Sequence, residues 1–565
     1  MTPKGPAPDA AGDLRRRLVH WLALSLILCL VFGIRYAAFR NSEPRIDASY
    51  YAFCVRSVAS ATHVLPQKTV SDSVLEALAS DEHSLAYALG RPAFSSPQWI
   101  FMQIPFLMEC VLLLICKYSY AHMVGLSILG SVAVLPALAL LSLRCGQGHV
   151  MNGLIATVFC GTSAYAALYS PWGVHNWGVF ALVAAVAFAA PLMADGPDWR
   201  QTGSRRAALI GVATLLAAYS HFTNPILAPL AMTLAVCVVP GLNVPQKARV
   251  LVVFAGVVFD GIAPPVLLSI ILNKTWLTFG IYTNVSNSPT TYLSGVMVRA
   301  AKWLVLGTQL FSLPGMVLGL AGLLLMAVKT RYRLPFCVAF AHFLCFCFIP
   351  GFIWNGSHTY LRTYNYLIPF LALGMAWLTV RVTKTALAGL AARLLQGGVI
   401  ACIAWHLVMQ IPISGYGRWA SRHVPDFVDY FLQGQGSLRP IVHEMERRVG
   451  AGTVIFWGTS EEYVYLSLAN RFSGVVLLPI TALLDRKRRG EPLRTSIQGE
   501  TEYVVGSDGN QLPLSKERVT EAFKALGRTV RGVELLEVFP SSVPVYGRFY
   551  LYRVALLPMI PDNGG

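Results

Sequence analysis

The sequence predicts an α-helical polytopic membrane protein of about 11–13 spans, with a small α/β soluble domain at its C-terminal end. Three observations carry this. Of the 565 residues, 55% are hydrophobic and only 13% charged, and mean hydropathy is +0.55, outside the range of soluble globular chains. Apolar runs long enough to cross a hydrocarbon core of about 30 Å recur from Leu18 to Ile413. Beyond Ile413 the pattern changes to short strands alternating with amphipathic helical stretches.

The expected spans lie near 18–36, 122–143, 150–170, 176–194, 207–221, 225–240, 249–272, 303–328, 334–353, 366–381 and 396–413. The first follows Arg15, Arg16 and Arg17, and no small-x-small cleavage site follows Arg35, so it reads as an uncleaved anchor with its N-terminus inside. The net charge of +17 sits largely in short clusters between apolar runs: Arg205 with Arg206, Lys329 to Arg333, Arg381 with Lys384. That is a positive-inside topology signal and not a nucleic-acid footprint. The opposite side holds only Lys117, Lys274, Arg299, Lys302 and Arg362 in its short loops.

A further apolar run, 98–116, contains Gln98, Gln103, Pro105 and Glu109. Counting it as a full span would invert the basic clusters, and an acid at mid-bilayer costs about 2.5–3.5 kcal/mol, so an interfacial or partly inserted helix is expected. All 11 cysteines precede Gln410, nearly all inside apolar runs, which supports neither a disulfide framework nor a CxxC metal site. The domain division is then 1–413 in the membrane, with an outer loop at 37–121, and 414–565 in water.

In the tail, "GTVIFWG", "GVVLLP", "EYVVG" and "RFYLYRVALL" read as strands. "SEEYVYLSLANR", entered through a capping Thr459 with Glu462 three residues on, and "KERVTEAFKALG" read as helices. The glycines at Gly434 and Gly436 lack the strand–turn–helix setting of a phosphate loop and read as linker.

The polar residues that stand out all fall on the outer loops and span ends. They are Arg45, Asp47, Tyr50 and Tyr51 in "RIDASYYAF", Arg91 in "GRPAFSSPQW", and His175 and Asn176 in "SPWGVHNWG". His221 lies in "SHFTNP", Lys274 opens the aromatic loop "NKTWLTFGIYTN", and His358, Arg362 and Tyr364 belong to "NGSHTYLRTYNYLIP". From the residues alone, Asp47 is either a catalytic base or the partner of Arg45 at the bilayer surface. Arg91, Arg362, Tyr364 and Lys274 are either anion ligands or interfacial anchors.

The order of these elements resembles the polyprenyl-phosphate-sugar glycosyltransferases. An outer D-x-x-Y-Y follows the first span, a G-R-P precedes an amphipathic run, a span closes on Ser170-Pro171, and R-x-Y-x-Y-L-x-P opens a late span. These enzymes are the protein O-mannosyltransferase and lipid A aminoarabinose transferase group, with a GT-C fold. The resemblance covers most of the chain and implies an inverting transfer of a sugar from a polyprenyl-phosphate donor to an acceptor hydroxyl on the outer face of a bacterial inner or plasma membrane. The acceptor would be a lipid, a glycan or a protein of the cell envelope.

A lipid phosphate leaves without a proton and needs only cations to hold its charge, so one base suffices. The resemblance makes Asp47 that base, Arg91, Arg362, Tyr364 and Lys274 phosphate ligands, and Arg45, Tyr50, Tyr51, His175, Asn176, His221 and His358 contacts of sugar or acceptor. Where the family carries an Asp-Glu pair this chain reads Asp47-Ala48, which weakens a metal role. The outer histidines share no ligand spacing, so no cofactor is assigned and a divalent metal stays an open alternative. Two other readings remain: a transporter or lipid flippase, disfavoured by the lack of internal repeats, and a non-catalytic assembly protein, which leaves Asp47, Arg91 and Arg362 unexplained.

The charge bias makes a topology prediction. A reporter fused after Ile413 or near Ser71 should be exposed outside, and one near Arg205 inside. A cytoplasmic C-terminal fusion would overturn the orientation.

Overall fold

The computed structural model describes residues 10–39, 104–105, 108, 120–146, 150–163, 166–167, 174–194, 199–221, 223–239, 242–273, 289–349, 363–384, 389–410, 439–450, 453–457, 476–480, 500–507, 514–540 and 548–557. Two compact units emerge: Met1–Arg40, Pro92–Leu107 and Gly125–His423 in one, and Asn41–Arg91, Met108–Val124 and Val424–Gly565 in the other. The expected helix at 98–116, the helix at 460–471 with its Thr459 cap, and the linker glycines Gly434 and Gly436 lie outside the described residues, apart from short pieces of the first.

The first unit is helical. Its elements are α1 (Ala10–Phe39), α2 (Tyr120–Cys145), α3 (Val150–Gly161), α4 (Val174–Ala194), α5 (Trp199–Ala218), α6 (Asn224–Cys237) and α7 (Val244–Asn273). Then come α8 (Pro289–Phe311), α9 (Leu313–Lys329), α10 (Leu334–Phe348), a 3-10 turn (Tyr364–Tyr366), α11 (Ile368–Lys384) and α12 (Leu390–Gln410). Among the described residues Leu18–Ala37, Gly125–Cys145, Asn176–Ala194 and Tyr364–Lys384 are long and apolar enough to cross a membrane, and α3, α6 and α10 are shorter apolar helices. Large apolar side chains such as Leu22 and Leu26 on α1, Phe259 on α7, Met297 on α8 and Leu394 on α12 are exposed. So wide an apolar surface suits lipid and not water. The chain is an integral membrane protein.

One expected span is corrected. The run 303–328 is not a single helix: α8 and α9 meet at Ser312 with a bend of 110°. Ser312 has φ +68°, a left-handed conformation that costs a non-glycine residue energy. Its hydroxyl caps α9 by accepting from the Gly315 amide at 3.1 Å and is 2.9 Å from His406 Nδ1 on α12. A hydropathy window sees two apolar helices and cannot see the side-chain cap between them. The spans expected at 207–221, 249–272 and 396–413 fall on α5, α7 and α12.

Glycines set the tightest helix contact. α9 carries Gly315, Gly319 and Gly322 at small-residue spacing, and its partner α11 presents Gly374. A Cβ on Gly322 would lie 1.9 Å from the Gly374 carbonyl oxygen, and one on Gly374 would lie 2.1 Å from that of Gly319. The two backbones touch, so neither position admits a side chain.

The basic clusters do local work as well as setting topology. Arg206 donates to the carbonyl of Leu192 near the end of α4 at 3.2 Å, Lys247 to that of Cys237 on α6 at 2.6 Å, and Arg333 to that of Val238. Cations thus satisfy carbonyls that a helix end leaves open.

The second unit contains α13 (Arg439–Val449) and a five-stranded sheet of β1 (Thr453–Trp457), β2 (Val476–Pro479), β3 (Thr501–Ser507), β4 (Val530–Pro540) and β5 (Arg548–Leu556), with α14 (Lys516–Ala525) between β3 and β4. Strand order is β2-β1-β3-β5-β4. β1 pairs in parallel with β2 and β3, while β5 runs antiparallel to both β3 and β4. The four strands read from the sequence form as β1, β2, β3 and β5, and "KERVTEAFKALG" forms α14, whose N-cap is Ser515 accepting from the Arg518 amide. Its apolar face, Val519, Ala522 and Phe523, packs on Ile455, Val504 and Val554 of the sheet. Strand β4 was not anticipated, since register shifts at Val530/Gly532 and Leu535/Glu537 break its alternation. Nor was α13, whose Glu444 is held below the usual carboxylate range by hydrogen bonding to Arg447. That folded-state depression stabilises the helix at neutral pH and is lost as acid protonates Glu444, by little at so exposed a site.

The glycine contact is testable. Gly374→Val should lower the unfolding temperature sharply or abolish folding, since overpacking already costs about 1–3 kcal/mol where side chains can yield. Gly397→Ala on α12, where a Cβ meets nothing within 4 Å, should be neutral or stabilising. Thermal unfolding of both variants in detergent compares them directly.

Candidate functional site

The termini of α1 to α6 and α11 bring a set of buried polar residues to one end of the bundle: Arg35, Ser127, Ser131, Ser163, Asn176, Ser220, His221, Thr223, Asn224, Thr363 and Asn365. This is the end that the charge bias assigns to the outside. Helices that enter and leave in alternation make such a cluster from residues far apart in sequence.

Asn176, in the first turn of α4, donates to the Ser127 carbonyl at 3.3 Å and lies 3.4 Å from the Ser127 hydroxyl, so it ties α4 to α2. His175 occupies the same helical turn. His221 follows α5; its Nδ1 accepts from the Thr223 amide at 3.2 Å, which leaves the ring proton on Nε2 in the neutral form. Its ring lies 5.5 Å from that of Tyr366. Both approach α4 through Gly178, where a Cβ would come within 2.4 Å of the Tyr366 hydroxyl and of His221 Cβ. Asn224 spans the gap, donating to the carbonyls of Gly178 and Ala217 at 3.0 and 2.9 Å.

The segment after Arg362 is fixed by a second network. Trp303 Nε1 on α8 donates to His342 Nδ1 on α10 at 3.0 Å, and His342 Nε2 donates to the Thr363 carbonyl at 2.9 Å. The Tyr364 hydroxyl donates in turn to the Trp303 carbonyl. Tyr364 is 1% exposed, so its phenol proton is committed to the helix interface. Of the expected site residues, Asn176, His221 and Tyr364 are thus buried at one end of the bundle. Asp47, Arg45, Tyr50, Tyr51, Arg91, Lys274, His358 and Arg362 lie outside the described residues. No three His, Cys, Asp or Glu side chains come together among the described residues.

Arg35 was used in the sequence only as the edge of the first span. It is 3% exposed, donating to Ser131 Oγ on α2 and to the Gly161 carbonyl on α3, each at 3.0 Å. A signal was present: an arginine inside an apolar run is costly and marks a site by default. Arg35, Ser131, Asn176 and Asn365 supply the polar lining of a narrow pocket closed by Val134, Leu135, Cys160, Val179, Ile368 and Pro369, among others.

A structure of ArnT from Cupriavidus metallidurans in the apo state aligns with 95% of this chain and 98% of its own, at a TM-score of 0.52 and 14% identity. The fold is of the GT-C type. Two structures of the arabinofuranosyltransferase AftD from Mycobacteria, one of them a mutant, align at 13% identity with TM-scores of 0.40 and 0.36. They cover 95% and 93% of this chain and 40% and 42% of their own. No family model matches the sequence, and no curated protein matches it.

The Tyr364 geometry separates two roles. Tyr364→Phe should lower stability by about 1 kcal/mol through the lost hydrogen bond, with affinity for a polyprenyl-phosphate ligand unchanged. A tenfold loss of affinity, about 1.4 kcal/mol, would make the phenol a direct phosphate ligand instead.

Proposed function

We propose that the protein is an integral-membrane glycosyltransferase that moves a sugar from a polyprenyl-phosphate donor to an acceptor hydroxyl, with inversion. The observation that carries the reading is the likeness to ArnT, a lipid A aminoarabinose transferase, over nearly the whole of both chains. The short motifs around Asp47, Arg91 and Arg362 support it, and so does the gathering of buried polar groups at one end of the helices.

In this reading residues 1–413 form the catalytic membrane domain and 414–565 an extracytoplasmic domain, in a bacterial inner membrane. Asp47 takes the proton of the acceptor hydroxyl as its oxygen attacks the anomeric carbon. The bond from that carbon to the phosphate oxygen breaks, and the lipid phosphate departs as an anion. Arg91, Arg362 and Lys274 hold the charge, so no acid is needed. His221, Asn176 and the residues around Asp47 are assigned to contact with sugar or acceptor. Tyr364 acts as a positioning residue, holding the turn that follows Arg362 against α8.

Asp47→Asn keeps shape and polarity but removes the proton acceptor. Transfer from a polyprenyl-phosphate sugar should fall by roughly 10²–10⁴ with donor binding retained; near-normal transfer would return Asp47 to a surface ion pair with Arg45. Arg91→Lys and Arg362→Lys should weaken donor binding as Ala does, because the bidentate fork is lost. Unchanged affinity in the Lys and Ala variants at both positions would remove them from the donor site.

A further inference from the structure

Two cations converge on one helix end, the one that the charge bias assigns to the inside. Lys247 Nζ, near the start of α7, donates to the Cys237 carbonyl at the end of α6 at 2.6 Å, and Arg333, just before α10, donates to the carbonyl of the next residue, Val238. Adjacent acceptors bring the ammonium and the guanidinium together. Both α7 and α10 begin here. A helix start carries roughly half a positive charge and favours acids, yet neither helix has an acid in its first turn. The reciprocal cap that opens α7 is uncharged: the Gln246 amide donates to Asn243 Oδ1 at 3.0 Å, and the Asn243 amide to Gln246 Oε1 at 3.1 Å.

Arg249, Lys329 and Arg331 add charge close by in sequence. Between Asp198 and Asp426 the chain has one acid, Asp260, which lies 13 residues beyond Lys247 on α7. The junction therefore sets one helix C-terminus against two helix starts and several cations. Its net charge is positive.

The second observation concerns what the cations still offer. A guanidinium has five N–H donors, and Nε of Arg333, shielded from solvent, has no hydrogen-bond partner. The third is apolar. Val238, Val244 and Val328 are exposed beside these cations in the chain, and Phe340, about two turns along α10 from Arg333, is exposed and stacks on Phe336 at 6.4 Å. Cations at a helix end with apolar side chains on the helices next to them match one kind of molecule, which has a phosphate head and acyl tails. A soluble anion would use only the cations, and a zwitterionic lipid brings an ammonium of its own.

We infer that the junction of α6, α7 and α10 binds an anionic phospholipid. Lys247 and Arg333 hold its phosphate, Arg249, Lys329 and Arg331 add attraction, and the exposed valines with Phe340 receive the acyl chains. The site lies at the end of α6 opposite to Asn224 and the buried polar cluster, so it is independent of the proposed function.

The test uses the full chain, delipidated in a maltoside detergent, with phosphatidylglycerol and phosphatidylcholine of identical acyl chains as probes. Binding is read by native mass spectrometry and by thermal unfolding. Phosphatidylglycerol should bind about tenfold tighter and raise the unfolding temperature, and Lys247→Gln with Arg333→Gln should remove that preference. A control pair, Arg205→Gln with Arg393→Gln, takes the same charge from the same side and should leave the preference intact.

Equal losses in the two pairs would mean diffuse attraction to the surface and overturn the inference, as would equal binding of the two lipids. Displacement of phosphatidylglycerol by millimolar inorganic phosphate would overturn the lipid as occupant. Should the first pair fail to fold, Lys329→Gln with Arg331→Gln replaces it, since both side chains are exposed. A loss of a few-fold is then expected, and none overturns the site. No sugar transfer is measured, so either reading can fail without the other.

Discussion

In hydrocarbon a polar group has no water to fall back on, so every donor and acceptor must be satisfied by the protein itself. The described helices meet most of this demand in three ways, although buried atoms such as Ser142 Oγ, Asn152 Oδ1 and Trp177 Nε1 are left without a partner. Their interiors are plain backbone ladders with Thr157 and Thr214 bonding back to carbonyls one turn earlier. Some of their ends are closed by the cations Arg206, Lys247 and Arg333. The single sharp break, between α8 and α9, survives because Ser312 supplies a cap and His406 reaches it from α12. The threonine back-bonds are local, whereas Arg333 and His406 reach their partners across 95 and 94 residues of sequence.

How much of this the sequence reveals depends on whether the signal is local. Hydropathy and charge bias place most helices and imply which ends share a side, because both are properties of a short window. The tail reads well where strands alternate cleanly, as in β1 and β5, and fails at β4, where bulges shift the phase and Gly532 interrupts the run. The Ser312 break is invisible for a different reason: "LFSLPG" is apolar on both sides, and the bend is decided by contacts with His406 and with the glycine face of α9. Pro314 next to it is a familiar first-turn residue and a cue for a helix start that a span count passes over.

The candidate site divides along the same line. Asn176, His221 and Tyr364 were singled out because they stand beside short motifs, and all three are buried at one end of the bundle. What the motifs could not convey is which of them faces a pocket and which is committed to packing. The commitment of Tyr364 depends on Trp303, 61 residues away. Gly178 matters only because His221 and Tyr366 converge on it from two other segments. Arg35 was legible as an anomaly, a cation one turn from the end of an apolar run, but its lack of a carboxylate partner is a fact of three dimensions.

The proposed chemistry would give that lack a reason. A group that leaves as a phosphate anion is stabilised by fixed cations only so far as those cations keep their charge uncancelled; a carboxylate beside each would neutralise the field before the substrate arrived. The chain carries 45 Lys and Arg against 28 Asp and Glu, and in the membrane part acids are scarce enough that Asp47 stands alone in its motif. One base to take a proton and cations to receive an anion is the minimum the proposed transfer requires. Arg35 itself is buried against neutral partners. That arrangement is tolerable because the arginine also anchors α1, a helix with few other buried side chains, to α2 and α3. A residue that is expensive alone is thus kept by the packing it supplies.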